Sequence, residues 1–189
     1  LPTDIVYDNS RSATGQWSML LDTSGRDEEP SIGRVFSKPI KKGLALLRVQ
    51  VNRNDRNSIG IFLSNGDPNL GGATYPGRAI YVGIDPAMYH NTTPGGGDVA
   101  AYDGTTGVVL ADDAAPANVW HEFLIEFNCN ADGGTYNVYL NGDKLNTTPL
   151  HFYAPQVSID RINVYTAANQ DQGGSSDPTP GSKHWVEDV

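Results

Sequence analysis

The sequence predicts an all-β protein, two antiparallel sheets packed face to face as a jelly-roll sandwich. Three observations predict it. Apolar and polar residues alternate with period two through many short runs, which buries one face of each strand. Turn residues punctuate the runs: the 189 residues include 21 Gly and 12 Pro, with Asn-Gly and Gly-Gly pairs between apolar segments. No stretch carries apolar residues at i, i+3 and i+4 over a helical length, so almost no helix is expected.

Residues 117–142 anchor the prediction. In the first half Phe123, Ile125 and Phe127 alternate with Glu122, Leu124 and Glu126. Residues 128–134 form a polar turn whose Gly-Gly pair supplies positive φ. In the second half Tyr136, Val138 and Leu140 alternate with Thr135, Asn137 and Tyr139, before an Asn141-Gly142 hairpin signal. The centre of the chain is therefore an antiparallel meander.

Taken in order, strands are expected over residues 3–8, 16–22, 33–38 (closed by Pro39) and 43–53. In the last of these Ala45, Leu47, Val49 and Val51 face the core and Leu46, Arg48, Gln50 and Asn52 face away. Strand 58–63 turns Ile59, Ile61 and Leu63 inward and Phe62 outward; a turn follows at 64–68. Strand 78–85 turns Ile80, Val82 and Ile84 inward and Tyr81 and Asp85 outward. Strands 98–103 and 107–111 precede the meander, with Tyr102 opposite Val99 and Ala101. Residues 147–156 read as irregular, 157–166 as a strand with Ile162 and Val164 inward, 167–183 as a long polar loop. A last strand over 185–189 is expected to pair near the N-terminus and close the sandwich. No repeat appears, and residues 1–189 read as one domain, long enough to bury a sizeable core.

Composition bounds the function. A net charge of −9 argues against nucleic acid or an anionic membrane as partner, while local basic positions leave room for an anionic polysaccharide. Cys129 is the only cysteine, so no intrachain disulfide forms, and a half-buried structural thiol at a strand end is expected. No apolar run approaches the ~18 residues of a membrane span. No signal peptide is evident, and Leu1-Pro2 reads as a trimmed mature start. Asn91 and Asn146 match the glycosylation sequon, a match that threonine-rich turns also produce by chance. Turn-dense β structure rich in Asn, Thr and Gly suits a secreted or cell-surface protein, or part of a larger one.

A candidate groove follows if strand 43–53 lies in the concave sheet. Arg48, Gln50, Asn52, Phe62, Tyr81, Asp85 and Tyr102 would share its polar face, with Tyr75, Tyr89 and His90 on rimming loops. Aromatic rings stack on the apolar faces of sugars, and Arg, Asn, Gln and Asp bond hydroxyls and carboxylates. A plain solvent-facing sheet is the competing reading. His121 shares the parity of Phe123 and reads as a core histidine. His151 and His184 have no partner at zinc-ligand spacing. Glu122 and Glu126 share a strand face but stand ~13 Å apart, too far for a glycosidase pair.

Trp120 followed by the alternating hydrophobics, the hairpin Gly134-Thr135-Tyr136-Asn137-Val138-Tyr139-Leu140-Asn141-Gly142, the run from Ser158 to Val164 and the terminal Trp185-Val186-Glu187-Asp188-Val189 resemble the C-terminal half of concanavalin A-like lectin/glucanase domains. The resemblance implies the jelly roll and a carbohydrate ligand. Hydrolases of that superfamily carry Glu-x-Asp-x-x-Glu, absent here. Its lyases carry Arg-x-Glu-x-Arg, Gln-x-His and Tyr-Phe-Lys-x-Gly strands; here Arg48, Gln50 and Asn52 resemble only the carboxylate-neutralising set, with Tyr81, Tyr102 or His90 as proton movers. Related modules hold a structural Ca²⁺ where the termini meet, which points to Asp8, Asn9 and Asp188 if the first and last strands pair. The expectation is a non-catalytic module that binds a polysaccharide on its concave face. A lyase cleaving a uronate-containing glycan by β-elimination and a surface adhesion or structural module are the alternatives.

Overall fold

The computed structural model describes residues 5–8, 10–15, 18–22, 31–52, 59–66, 77–84, 97–165 and 183–187. Fourteen strands appear there: β1 (Ile5–Asp8), β2 (Ser18–Asp22), β3 (Ser31–Ile40), β4 (Lys42–Val51), β5 (Ile59–Ser64), β6 (Arg78–Ile84), β7 (Val99–Asp103), β8 (Thr106–Ala111), β9 (Trp120–Asn128), β10 (Thr135–Leu140), β11 (Asp143–Lys144), β12 (Leu150–His151), β13 (Ile159–Tyr165) and β14 (Lys183–Glu187). No helix occurs among the described residues.

The strands form two antiparallel sheets. The eight-stranded sheet runs β1-β2-β14-β4-β9-β10-β11, with β12 also on β10; the six-stranded sheet runs β3-β13-β5-β6-β7-β8. One core lies between them. Leu47, Val49 and Val51 of β4, Phe123 and Ile125 of β9, and Val138 of β10 meet Ile61, Ile80, Val82, Ile84 and Val164 of the other sheet, all fully buried. Each such side chain contributes about 1.5–3 kcal/mol through its removal from water. The inward sets are those the alternation predicts.

The turns also match their chemistry. Asn141 and Gly142 adopt φ of 52° and 92°, the paired positive values that a two-residue hairpin needs. β14 pairs with β2 as well as β4, closing the eight-stranded sheet near the N-terminus. β3 is longer than predicted and continues through Pro39, which an edge strand tolerates. Residues 147–156, read as irregular, hold the short strand β12. Lys41 alone separates β3 from β4, so the chain changes sheets there, and the Cys129 N–H donates to the Lys41 carbonyl at 2.8 Å to hold the corner. The Cys129 thiol is half-buried and unbridged as expected, and burial pushes its pKa up.

Two polar residues are consumed by this packing. The buried His121 donates from Nε2 to the Pro116 carbonyl at 3.0 Å, the core role its parity suggests. Asn146 is 7% exposed: its Oδ1 accepts from the Val138 N–H at 2.8 Å, and its Nδ2 donates to Asn137 Oδ1 and the Thr148 carbonyl. The folded chain therefore does not present this sequon to a glycosyltransferase. Asn91 lies outside the described residues.

Candidate functional site

Sheet membership divides the predicted groove. Arg48, Gln50 and Asn52 belong to β4 and its end, in the eight-stranded sheet; Phe62, Tyr81 and Tyr102 belong to β5, β6 and β7, in the six-stranded sheet. The inner faces of both sheets fill the core, so these two sets stand on opposite outer faces of the sandwich. The single groove expected from both does not form. The alternation tells a residue's face but not its sheet.

On the eight-stranded face, register sets Trp185, Gln50 and Trp120 in one cross-strand row and Glu187, Arg48 and Glu122 in the next. Several of their polar groups bond within the chain. Arg48 Nη2 donates to Glu122 Oε2 at 2.5 Å. Arg11 Nη1 donates to Gln50 Oε1 at 3.1 Å and Asn118 Oδ1 at 3.0 Å, and its guanidinium lies 4.4 Å from the Trp185 ring centroid. Asn52 Oδ1 accepts from the Lys183 N–H at 2.8 Å. Glu187 accepts from the Ala13 and Thr14 N–H groups and the Thr14 hydroxyl. Burial raises the Glu187 carboxyl, but hydrogen bonds from Ser12, Ala13 and Thr14 outweigh it and hold the group below its ordinary value. Residues 11–14 thus clasp this face.

The outer face of the six-stranded sheet carries a row of rings. Register places Asn163, Phe62 and Tyr81 side by side, and Tyr102 follows one residue beyond the Val82–Ala101 pair. Ring centroids lie 4.3 Å apart for Phe62–Tyr81, 4.8 Å for Phe62–Tyr165, 5.9 Å for Tyr81–Tyr102 and 4.9 Å for Tyr102–Tyr153. Two facing glycines, Gly60 and Gly83, make the floor on which they lean. A Cβ on Gly60 would stand 2.2 Å from Tyr165 Cε1 and 2.7 Å from Tyr81 Cε2, so only glycine lets these rings converge. The Tyr81 and Tyr165 hydroxyls hydrogen-bond each other. Arg78 lies over Phe62, 4.2 Å from its centroid. Arg161, on the same face, bonds Asp160 at 2.9 Å, and this contact holds the Asp160 carboxyl below its ordinary value.

Exposure decides which rings can meet a ligand. Phe62 and Tyr81 are 1% and 3% exposed, enclosed by their neighbours although they face away from the core. Direct stacking on Tyr81, as expected from the sequence, is closed in this arrangement. Tyr102, Tyr153 and Tyr165 are half-buried and keep accessible surface. Tyr165 follows the alternation from Val164, so parity could have found it. Tyr153 sits in the segment read as irregular and is placed by Tyr153 N–H donating to the Ala79 carbonyl at 2.7 Å, which no local signal announces. Asp85, Tyr75, Tyr89 and His90 lie outside the described residues.

The calcium expectation rested on pairing of the first and last strands. β2 intervenes between β1 and β14, and Asp8 accepts from Trp185 Nε1 at 2.6 Å and from Ser10, contacts that lower its pKa. Asn9 and Asp188 lie outside the described residues. Among those described, Asp98, Asp112 and Asp113 place carboxylate oxygens within 4.8 Å of one another. Asp98 Oδ1 accepts from the Asp113 N–H, and a hydrogen bond with Asp98 raises the Asp112 carboxyl.

No family model and no curated protein matches the chain. Solved structures match its fold. An endo-β-1,4-glucuronan lyase from the fungus Trichoderma reesei aligns with a TM-score of 0.67 and 9% identity, over 97% of this chain and 84% of that one. The Emp46p carbohydrate recognition domain aligns at 0.51 and 14% identity, over 97% and 88%. A sialidase aligns at 0.66 and 14% identity over 98% of this chain, which spans only 16% of the sialidase. At these identities the likeness shows the fold alone, the two-sheet antiparallel β-sandwich that the sequence predicts. No described helix is long and apolar enough to cross a membrane.

Proposed function

We propose that this chain is a non-catalytic carbohydrate-binding module that recognises a polysaccharide on the outer face of its six-stranded sheet. The observation that carries the reading is the row of rings across β13, β5, β6 and β7, with Tyr102, Tyr153 and Tyr165 partly open to solvent beside Arg78, Arg161 and Asn163. Aromatic faces offer flat apolar area to sugar rings at little entropic cost, while guanidinium and amide groups take hydroxyls and carboxylates. The jelly roll supports the reading because the proteins it resembles include one named as a carbohydrate recognition domain and one named as a glucuronan lyase. A polysaccharide partner would place the chain in a secreted or cell-surface protein.

The paired Tyr81 and Tyr165 hydroxyls beside Arg78 and Arg161 favour one second reading, a lyase acting on a uronate glycan. There a tyrosine would move the proton and an arginine would neutralise the carboxylate. One experiment separates the two. The chain is run through gels containing uronate polysaccharides while the same mixtures are followed by ultraviolet absorbance. A binding module is retarded, leaves the absorbance flat and loses retardation in Tyr102→Ala. A rise in absorbance that Arg161→Ala abolishes would make it a lyase. Neither signal would leave a structural or adhesion module.

A further inference from the structure

A second surface lies on the far side of the six-stranded sheet's edge. Among the described residues β3 pairs only with β13, so no described strand covers its other edge, where another strand could add. Beside it opens a groove of about 670 Å³ lined by Arg34, Val35, Lys38, Ile40, Leu44 and Leu46 among others. Its apolar side chains face solvent: Val35 is 64% exposed, Leu44 67% and Leu46 39%.

The charge here opposes the rest of the chain. Residues 34–42 hold Arg34, Lys38, Lys41 and Lys42, four of the 13 cations, and no acid, in a chain of net charge −9. Among the described residues Lys38, Lys41 and Lys42 form no ion pair. Two carboxylates stand near by register: Asp160, in the irregular part of β13 facing residues 36–39, is held by Arg161 Nε at 2.9 Å and the Gly66 N–H at 3.0 Å, and Glu126, opposite Leu44 on β9, is held by Asn137 Nδ2 at 3.0 Å and the Tyr139 hydroxyl at 3.3 Å. The cations stand beside exposed Val35, Ile40, Leu44 and Leu46, so the surface offers charge and apolar area together.

We propose that the β3 edge and its groove bind an extended acidic peptide segment of a partner protein, in which carboxylates alternate with apolar side chains. The segment would add a strand to β3, set its apolar residues against Val35, Leu44 and Leu46, and pair its carboxylates with Lys38 and Lys42. A second copy of this chain fits poorly. Antiparallel self-pairing centred on Phe36 sets Arg34 opposite Lys38 of the copy, and like charges directly opposite are destabilising. The −9 charge of each copy adds to that repulsion. A polysaccharide would leave the exposed apolar side chains unmatched and the strand edge unpaired.

The test uses the full chain and a fluorescent peptide of about ten residues alternating Glu and Val, with a Lys-Val peptide as control. Anisotropy should show saturable binding of the Glu-Val peptide alone, weakened about tenfold or more in Lys38→Glu/Lys42→Glu and reduced in about 0.5 M salt. Hydrogen exchange at the amides of residues 31–40 should slow when the peptide binds. Equal binding of both peptides, no response to the charge reversal, or unchanged exchange at β3 would overturn the proposal. So would heparin or polyglucuronate binding at the same lysines without peptide binding, or a dimer in sedimentation that the reversal abolishes.

Discussion

The two outer faces of this sandwich arise from the same alternating pattern and end in opposite states. On the eight-stranded face the side chains bond within the chain: Arg48 to Glu122, Gln50 to Arg11, Asn52 to the Lys183 N–H, Glu187 to the Ala13 and Thr14 N–H groups. On the six-stranded face, rings stack across four strands over a glycine floor and keep partly open edges at Tyr102, Tyr153 and Tyr165. The contrast teaches that a polar strand face is not by itself a ligand site. Arg48 and Gln50, like Arg161 on the ring face, already bond within the chain, so what distinguishes the ring face is the apolar ring surface left open to a sugar.

The sharpest way to break the contrast is at its glycines. A Cβ on Gly83 would sit 2.0 Å from the Ile59 carbonyl oxygen, backbone that cannot move aside. Gly83→Ala should cost about 3 kcal/mol or more in urea unfolding. Gly60→Ala meets ring edges instead, so it should cost less stability yet disrupt the ring row, seen as altered near-ultraviolet circular dichroism and lost gel retardation. Should both substitutions prove silent, the tight floor is wrong.

Next comes the clasp. Glu187→Gln exchanges a carboxylate that accepts from Ser12, Ala13 and Thr14 for an amide with one acceptor oxygen, and should cost about 1–3 kcal/mol. The same group, with Asp8, Asp103 and Asp160, has a depressed folded-state pKa. Depressed carboxylates contribute stability that is complete above their unfolded pKa and is lost as pH falls through the folded value. Stability should therefore decline as pH drops below about 4, with a shallower decline in Glu187→Gln. A pH-independent melting temperature down to about pH 2 would remove the clasp from the account.

Smaller effects sharpen the functional half. Tyr102→Ala or Tyr153→Ala should weaken polysaccharide binding by about 1–2 kcal/mol with little change in folding, since both rings are only half-buried. Arg48→Ala should do the reverse. Its ion pair with Glu122 is partly solvated, so the loss of stability should stay near 0.5–1 kcal/mol, about the scale of exposed pairs, and glycan binding should not change. If Arg48→Ala instead abolished retardation while Tyr102→Ala did not, the two faces would exchange roles.

How far the chain could be read shows in individual residues. Phe123, Ile125, Tyr136 and Val138 announce their burial through alternation, because a strand side chain has only two directions to point. Phe62 shares that signal and is correctly placed on the outer face, yet it is 1% exposed, because Tyr81, Tyr165 and Arg78 close over it. Asn146 reads as a loop sequon and is instead a buried turn pin. The candidate site was half legible. Tyr81 and Tyr102 lie on the ring-bearing face, whereas Arg48, Gln50 and Asn52 lie on the other.

Local chemistry alone decided the strands, their inward faces, the Asn141-Gly142 turn and the absence of helix among the described residues, since each depends on side chains a few positions apart. Packing decided the rest. β4 joins β9 and β14, strands far along the chain, and not β5, its next described neighbour in sequence. Which sheet a strand enters depends on the summed burial of all the strands at once, and no period in a single segment encodes it. That choice separated the arginine row from the ring row, put Lys38, already close in sequence to Lys41 and Lys42, on a strand that only β13 pairs among the described residues, and set which face has surface left to offer a ligand.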